Sequence, residues 1–108
     1  MARDIRIALV GFGNVGRRFA QNLQGPYARV LRAHGLRARV TGIATAHHGI
    51  AVDPGGVALG RALRAVAKGQ SLARLHRGRP LGEVRAFVAR VPADVLMEVT
   101  PRDPRAGR

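Results

Sequence analysis

The feature that most restricts what this chain can fold into is Gly11-Phe12-Gly13-Asn14-Val15-Gly16, a complete G-x-G-x-x-G lying between two segments of opposite periodicity. Before it, Ile5-Arg6-Ile7-Ala8-Leu9-Val10 is short, aliphatic and almost uninterrupted, as a strand buried on both faces of a parallel sheet must be. After it, Val15, Phe19 and Leu23 recur every four residues, the spacing of one helical face, until Gly25-Pro26 stops the run. With 14 glycines in 108 residues, the bare pattern arises by chance roughly 0.2 times per chain, so its weight comes from this strand–turn–helix setting. The physical roles are distinct. Gly11 permits the tight turn, Gly13 lets the backbone approach a diphosphate that a side chain would obstruct, and Gly16 lets the helix pack closely on the strand. A diphosphate there meets unpaired amides at the positive end of the helix dipole, with Arg17 and Arg18 adding positive potential.

Further along, a helix is expected from Tyr27 to His34, closed by Gly35, followed by a strand over Ala38–Ala44 that completes a βαβ unit. Thr45 to Gly56 reads as a loop, with Asp53-Pro54-Gly55-Gly56 as turn chemistry. Helices are expected over Val57–Ala67, with Leu59, Leu63 and Val66 on one side, and over Leu81–Val91, with Val84, Phe87, Val88 and Val91 apolar. Gly69–Pro80 between them reads as irregular. A third strand, Val95–Val99, ends at Thr100-Pro101. The expected fold is α/β: a Rossmann-type parallel sheet with flanking helices, incomplete at about three strands. Residues 1–101 form the dinucleotide-binding domain in this reading, and 102–108 an exposed tail at a truncation point before a missing substrate domain.

The residues at the strand ends carry the remaining site expectations. The tip of the second strand reads the adenosine ribose in such folds, with an acidic residue favouring NAD. Here Ala44-Thr45-Ala46-His47-His48 offers no carboxylate, and a hydroxyl with two imidazoles can accept a 2′-phosphate, which leans to NADP over NAD. Thr45 serves equally well as a strand cap, and the histidines as solvated loop residues. Adjacent histidines point apart and no Cys or carboxylate cluster joins them, so no metal site is expected. Thr100, at the end of the third strand, can face the nicotinamide half of a cofactor or simply end the strand.

A net charge of +13 raises a second reading, a basic module that binds nucleic acid or another polyanion without catalysis. Arginines occur in almost every segment, however, Lys68 is the only lysine, and aromatic residues are scarce, which speaks against a nucleic-acid partner. The absence of cysteine excludes disulfides, thiolate metal sites and a cysteine nucleophile. No apolar run approaches the roughly 20 residues of a membrane span. A cytoplasmic protein with no membrane partner is expected.

IRIALVGFGNVGR from Ile5, VTGIATAHHGIAVD from Val40 and DVLMEVTPRDPRAG from Asp94 together resemble the amino-terminal domain of homoserine dehydrogenases over nearly the whole chain. The resemblance implies an oxidoreductase: NAD(P)-dependent interconversion of L-homoserine and L-aspartate 4-semialdehyde, in the biosynthesis of threonine and methionine. It makes Phe12, Asn14, Val15 and Thr100 cofactor contacts and carries no catalytic residue. The hydride-assisting lysine and the groups that hold the amino-acid substrate belong to segments beyond the equivalent of Arg108, so this portion alone is expected to be inactive. The full-length enzyme is expected to be a homo-oligomer. A nucleotide-sensing domain that never meets a substrate is a third reading.

Overall fold

A computed structural model describes residues 3–100, so Pro101 and the expected tail 102–108 lie outside the described residues. In chain order, β1 (Arg3–Val10) leads through the glycine turn into α1 (Asn14–Leu23) and α2 (Pro26–Ala33), and β2 (Leu36–Ala44) follows. Then come β3 (Ile50–Val52), α3 (Leu59–Ala67), a 3-10 turn (Leu72–Leu75), α4 (Val84–Arg90) and β4 (Val95–Glu98). The sheet order is β3-β2-β1-β4, with β1 parallel to both β2 and β4. The nearly continuous aliphatic run of β1 is explained by this central place. Ile7 and Leu9 pack into one core with α1 and α3, while Ala8 packs into a second with Phe87 of α4.

The strand count differs from the three expected. β3 lies inside the segment read as a loop and pairs antiparallel with β2, Gly42 opposite Val52 and Ala44 opposite Ile50. Three residues are too few to show a period, and the reversal is made locally. Gly49, at φ +81°, turns the chain, and its carbonyl accepts from the Thr45 amide at 3.1 Å and the Thr45 hydroxyl at 2.7 Å. The Asp53 turn forms as expected: its carbonyl accepts from Gly56 N–H at 2.8 Å and its side chain from Gly55 N–H at 2.9 Å. The stretch read as irregular contains the 3-10 turn, which Ser71 caps by accepting from Ala73 N–H at 3.0 Å.

The faces of two helices also differ from expectation. In α1 the buried residues are Gly16 and Ala20, with Phe19 and Leu23 partly buried, whereas Val15 is 64% exposed. Small residues face inward because α1 lies almost against the turn that feeds it. In α4, Phe87 is fully buried while Val84 and Val88 remain exposed, and Val91, the residue that ends the helix, is partly buried. Gly42 of β2 accommodates this contact, since a Cβ there would stand 2.7 Å from the Phe87 ring. The β1–β2 register shifts between Ile7 and Ala8, leaving Thr41 without a partner on β1. Thr41 is fully buried, and its hydroxyl donates to the Pro92 carbonyl at 2.8 Å, tying β2 to the approach of β4.

β4 is held onto β1 at its start by an ion pair. Asp94 accepts from the Arg6 backbone N–H at 2.8 Å and from its guanidinium at 2.9 and 3.3 Å. The side-chain hydrogen bonds from Arg6, then its backbone N–H, hold the Asp94 carboxyl at about 2 against an ordinary 3.8. A carboxyl lowered on folding stabilises the fold fully above its ordinary value, and that contribution is lost as pH falls toward about 2. Acidification across this window is therefore expected to lower the thermal midpoint more in the native chain than in an Asp94→Asn variant. Equal pH dependence of the two, followed by circular dichroism, would remove the ion pair from the account.

Candidate functional site

At the carboxyl ends of β1, β2 and β4 lies a cleft of about 660 Å³, the position at which parallel α/β sheets present ligands. Its floor is the glycine turn. Gly11 sits at φ +106°, a conformation L side chains rarely adopt, and a Cβ there would be 2.8 Å from the Thr100 amide nitrogen. Gly16 is equally constrained, since its Cβ would be 2.7 Å from the Gly11 carbonyl oxygen. The absence of both side chains thus allows β1, α1 and the exit of β4 to meet at one point.

The first turn of α1 is open to an anion. Gly13 occupies the N-cap position with no side-chain hydrogen bond to the turn, and no acidic residue lies within it. Arg17 folds back over this turn, donating from Nε to the Gly13 carbonyl at 3.2 Å and from its terminal nitrogen to Asn14 Oδ1 at 2.9 Å. A guanidinium is thereby fixed beside the unpaired amides, in the wall of the cleft.

Of the residues expected from the sequence, Gly11, Phe12, Gly13, Thr45 and Thr100 line this cleft. The Phe12 side chain belongs to the core and is 5% exposed, so the residue borders the cleft chiefly through its backbone. Asn14, Val15 and Gly16 belong to the helix start beside the cleft rather than to its lining. Thr45 uses its hydroxyl within the β2–β3 turn, donating to Gly49 O and accepting from His48 N–H at 2.7 Å. The Thr100 hydroxyl donates to the Val10 carbonyl at 3.4 Å, a long contact, and its amide donates to Glu98 Oε2 at 3.2 Å.

His47 and His48 also line the cleft, together with Val66 of α3 and Val84 of α4. The two valines read in the sequence as ordinary core positions of amphipathic helices. Only the packing of those helices around the sheet brings them to the strand ends. Among the described residues no group of three or more His, Cys, Asp or Glu could hold a metal ion, and no helix is long and apolar enough to cross a membrane.

A sheet with a central parallel strand that ends in a glycine turn, helices on both faces and a cleft at the strand ends defines a Rossmann-type fold, here in partial form. Solved structures that share it include two homoserine dehydrogenases. Homoserine dehydrogenase from Thermoplasma acidophilum is 21% identical with a TM-score of 0.65, matching 94% of this chain and 28% of its own. A hyperthermophilic archaeal homoserine dehydrogenase in complex with NADPH is 21% identical with a TM-score of 0.72, matching 94% of this chain and 30% of its own. At that identity the likeness is one of fold, and the chain spans less than a third of either structure. No protein-family model and no curated protein matches the sequence.

Proposed function

We propose that this chain is the cofactor-binding part of an NAD(P)-dependent oxidoreductase, and that the reaction it serves is the homoserine dehydrogenase reaction, interconverting L-homoserine and L-aspartate 4-semialdehyde. The observation that carries the reading is the glycine turn, where Gly11 closes against Thr100 and opens an uncapped helix start guarded by Arg17. That combination suits a dinucleotide diphosphate: amides and a guanidinium supply donors, and missing Cβ atoms supply room. In this reading Gly11, Gly13 and Gly16 shape the turn, the backbone of Phe12, Asn14 and Val15 faces the diphosphate, and Thr100 stands on the nicotinamide side. Thr45, with its hydroxyl committed to its own turn, contributes to the site by shaping the tip of β2.

The bound nicotinamide supplies the hydride chemistry, and this chain holds and orients it. Proton transfer at the substrate needs a group within hydrogen-bond reach of the reacting oxygen, and Lys68 lines a different cleft from the glycine turn. The substrate-binding and proton-transferring groups therefore belong to a further part of the protein in this proposal. The tip of β2 supports NADP over NAD in this reading, since His47 and His48 border the cleft and no carboxylate lines it to repel a 2′-phosphate.

Titration of the folded chain with NADPH and with NADH tests the proposal. Saturable binding is expected, tighter for NADPH, and Gly13→Val is expected to weaken it at least tenfold, about 1.4 kcal/mol, with an unchanged circular dichroism spectrum. No saturable binding by a sample that is demonstrably folded overturns the reading.

A further inference from the structure

A second cleft, of about 570 Å³, lies between α3 and the 3-10 turn and shares no lining residue with the glycine-turn cleft. Arg61 and Arg64 of α3 and its C-cap residue Lys68 line it at spacings of three and four residues, and Arg74 completes it from the 3-10 turn. Gln70 and Ser71 join the two walls. No carboxylate lines the cleft, and none of these four cations has an ion-pair partner among the described residues. The aspartates among the described residues are engaged elsewhere: Asp4 with Arg37 and Arg39, Asp94 with Arg6, and Asp53 with Arg77 at 3.7 Å.

The end of α3 does not consume these charges. Gly69, at φ +71°, closes the helix with its N–H on the Val66 carbonyl at 3.0 Å and the Gln70 N–H on the Ala65 carbonyl at 2.8 Å. The backbone thus satisfies those carbonyls without the side chains of Arg64 or Lys68. Neighbouring like charges on one helix face are unfavourable, and a multivalent anion between them turns that repulsion into attraction.

From this arrangement we infer that the α3 cleft is a binding site for a small phosphorylated ligand, independent of the dinucleotide site. Guanidinium groups present paired donors that match phosphoryl oxygens. The cleft has no aromatic wall on which a base could stack, which favours a compact di- or polyphosphate over a nucleic-acid strand.

The test is a ¹⁵N–¹H correlation titration of the chain with inorganic pyrophosphate at constant ionic strength. The Gln70 and Ser71 amides are expected to shift saturably, and an Arg64→Gln/Lys68→Gln variant is expected to lose at least tenfold in affinity read at those amides. An Arg74→Gln variant, on the other wall, gives an independent loss should the helix variant fold poorly. The inference is overturned if sodium chloride at matched ionic strength reproduces the shifts, or if neither variant weakens them. It is overturned equally if a short single-stranded oligonucleotide binds more tightly than pyrophosphate and perturbs residues well outside the cleft.

Discussion

Alanine in place of Gly11 is expected to destabilise the fold by roughly 3 kcal/mol and to remove the proposed dinucleotide binding with it. Two costs combine at this position. The residue sits at φ +106°, which an L side chain reaches only under strain, and the new methyl group would press on the backbone of Val99 and Thr100 at 2.8 to 3.0 Å. Backbone atoms of a paired strand yield far less readily than the end of a flexible side chain, so relief requires β4 to leave β1 near Val99. Urea denaturation checks the first cost and NADPH titration the second. A loss below about 1 kcal/mol would mean that the turn relaxes without moving β4, and that the contact with Thr100 is not a constraint.

Phe87→Ala is expected to cost about 3–5 kcal/mol, a large fraction of the stability of a domain of this size. Phe87 is fully buried, and the other buried residues of its cluster are Ala8, Ala44 and Val52, none of which can fill the space vacated. Its ring also lies against Gly42, so the hole opens directly onto the backbone of β2. Phe87→Leu should recover much of the loss. A thermal midpoint for the alanine variant within a few degrees of the native one would show that α4 is an accessory to the sheet rather than one of its two covers.

The parts of this molecule legible in the sequence are those whose local signals agree with their surroundings. β1 and the glycine turn stand out because a double-faced strand is aliphatic throughout and because Gly11 and Gly16 are needed for space as well as for conformation. β3 was hidden by its length, since three residues show no period and the pairing depends on the turn that Thr45 and Gly49 close. The buried face of α1 was displaced by one position because hydropathy gives weight to Val15, whereas close approach selects Gly16 and Ala20. Of the four apolar positions Val84, Phe87, Val88 and Val91, only Phe87 of α4 and its C-cap residue Val91 join the second core, because α4 meets the sheet over a narrow contact at Gly42. Within the cleft, the turn glycines and Thr100 follow from strand order, while Val66 and Val84 arrive through helix packing that no local pattern records.

The glycine turn is assembled from two ends of the chain: Thr100 reaches back to the Val10 carbonyl across 90 positions of sequence. Synthesis delivers the fingerprint well before the strand that backs it. Until then the first helix start has no β4 behind it, so the proposed coenzyme uptake must wait for that strand, and nascent chains arrested before Thr100 are expected to carry the whole motif yet capture no coenzyme.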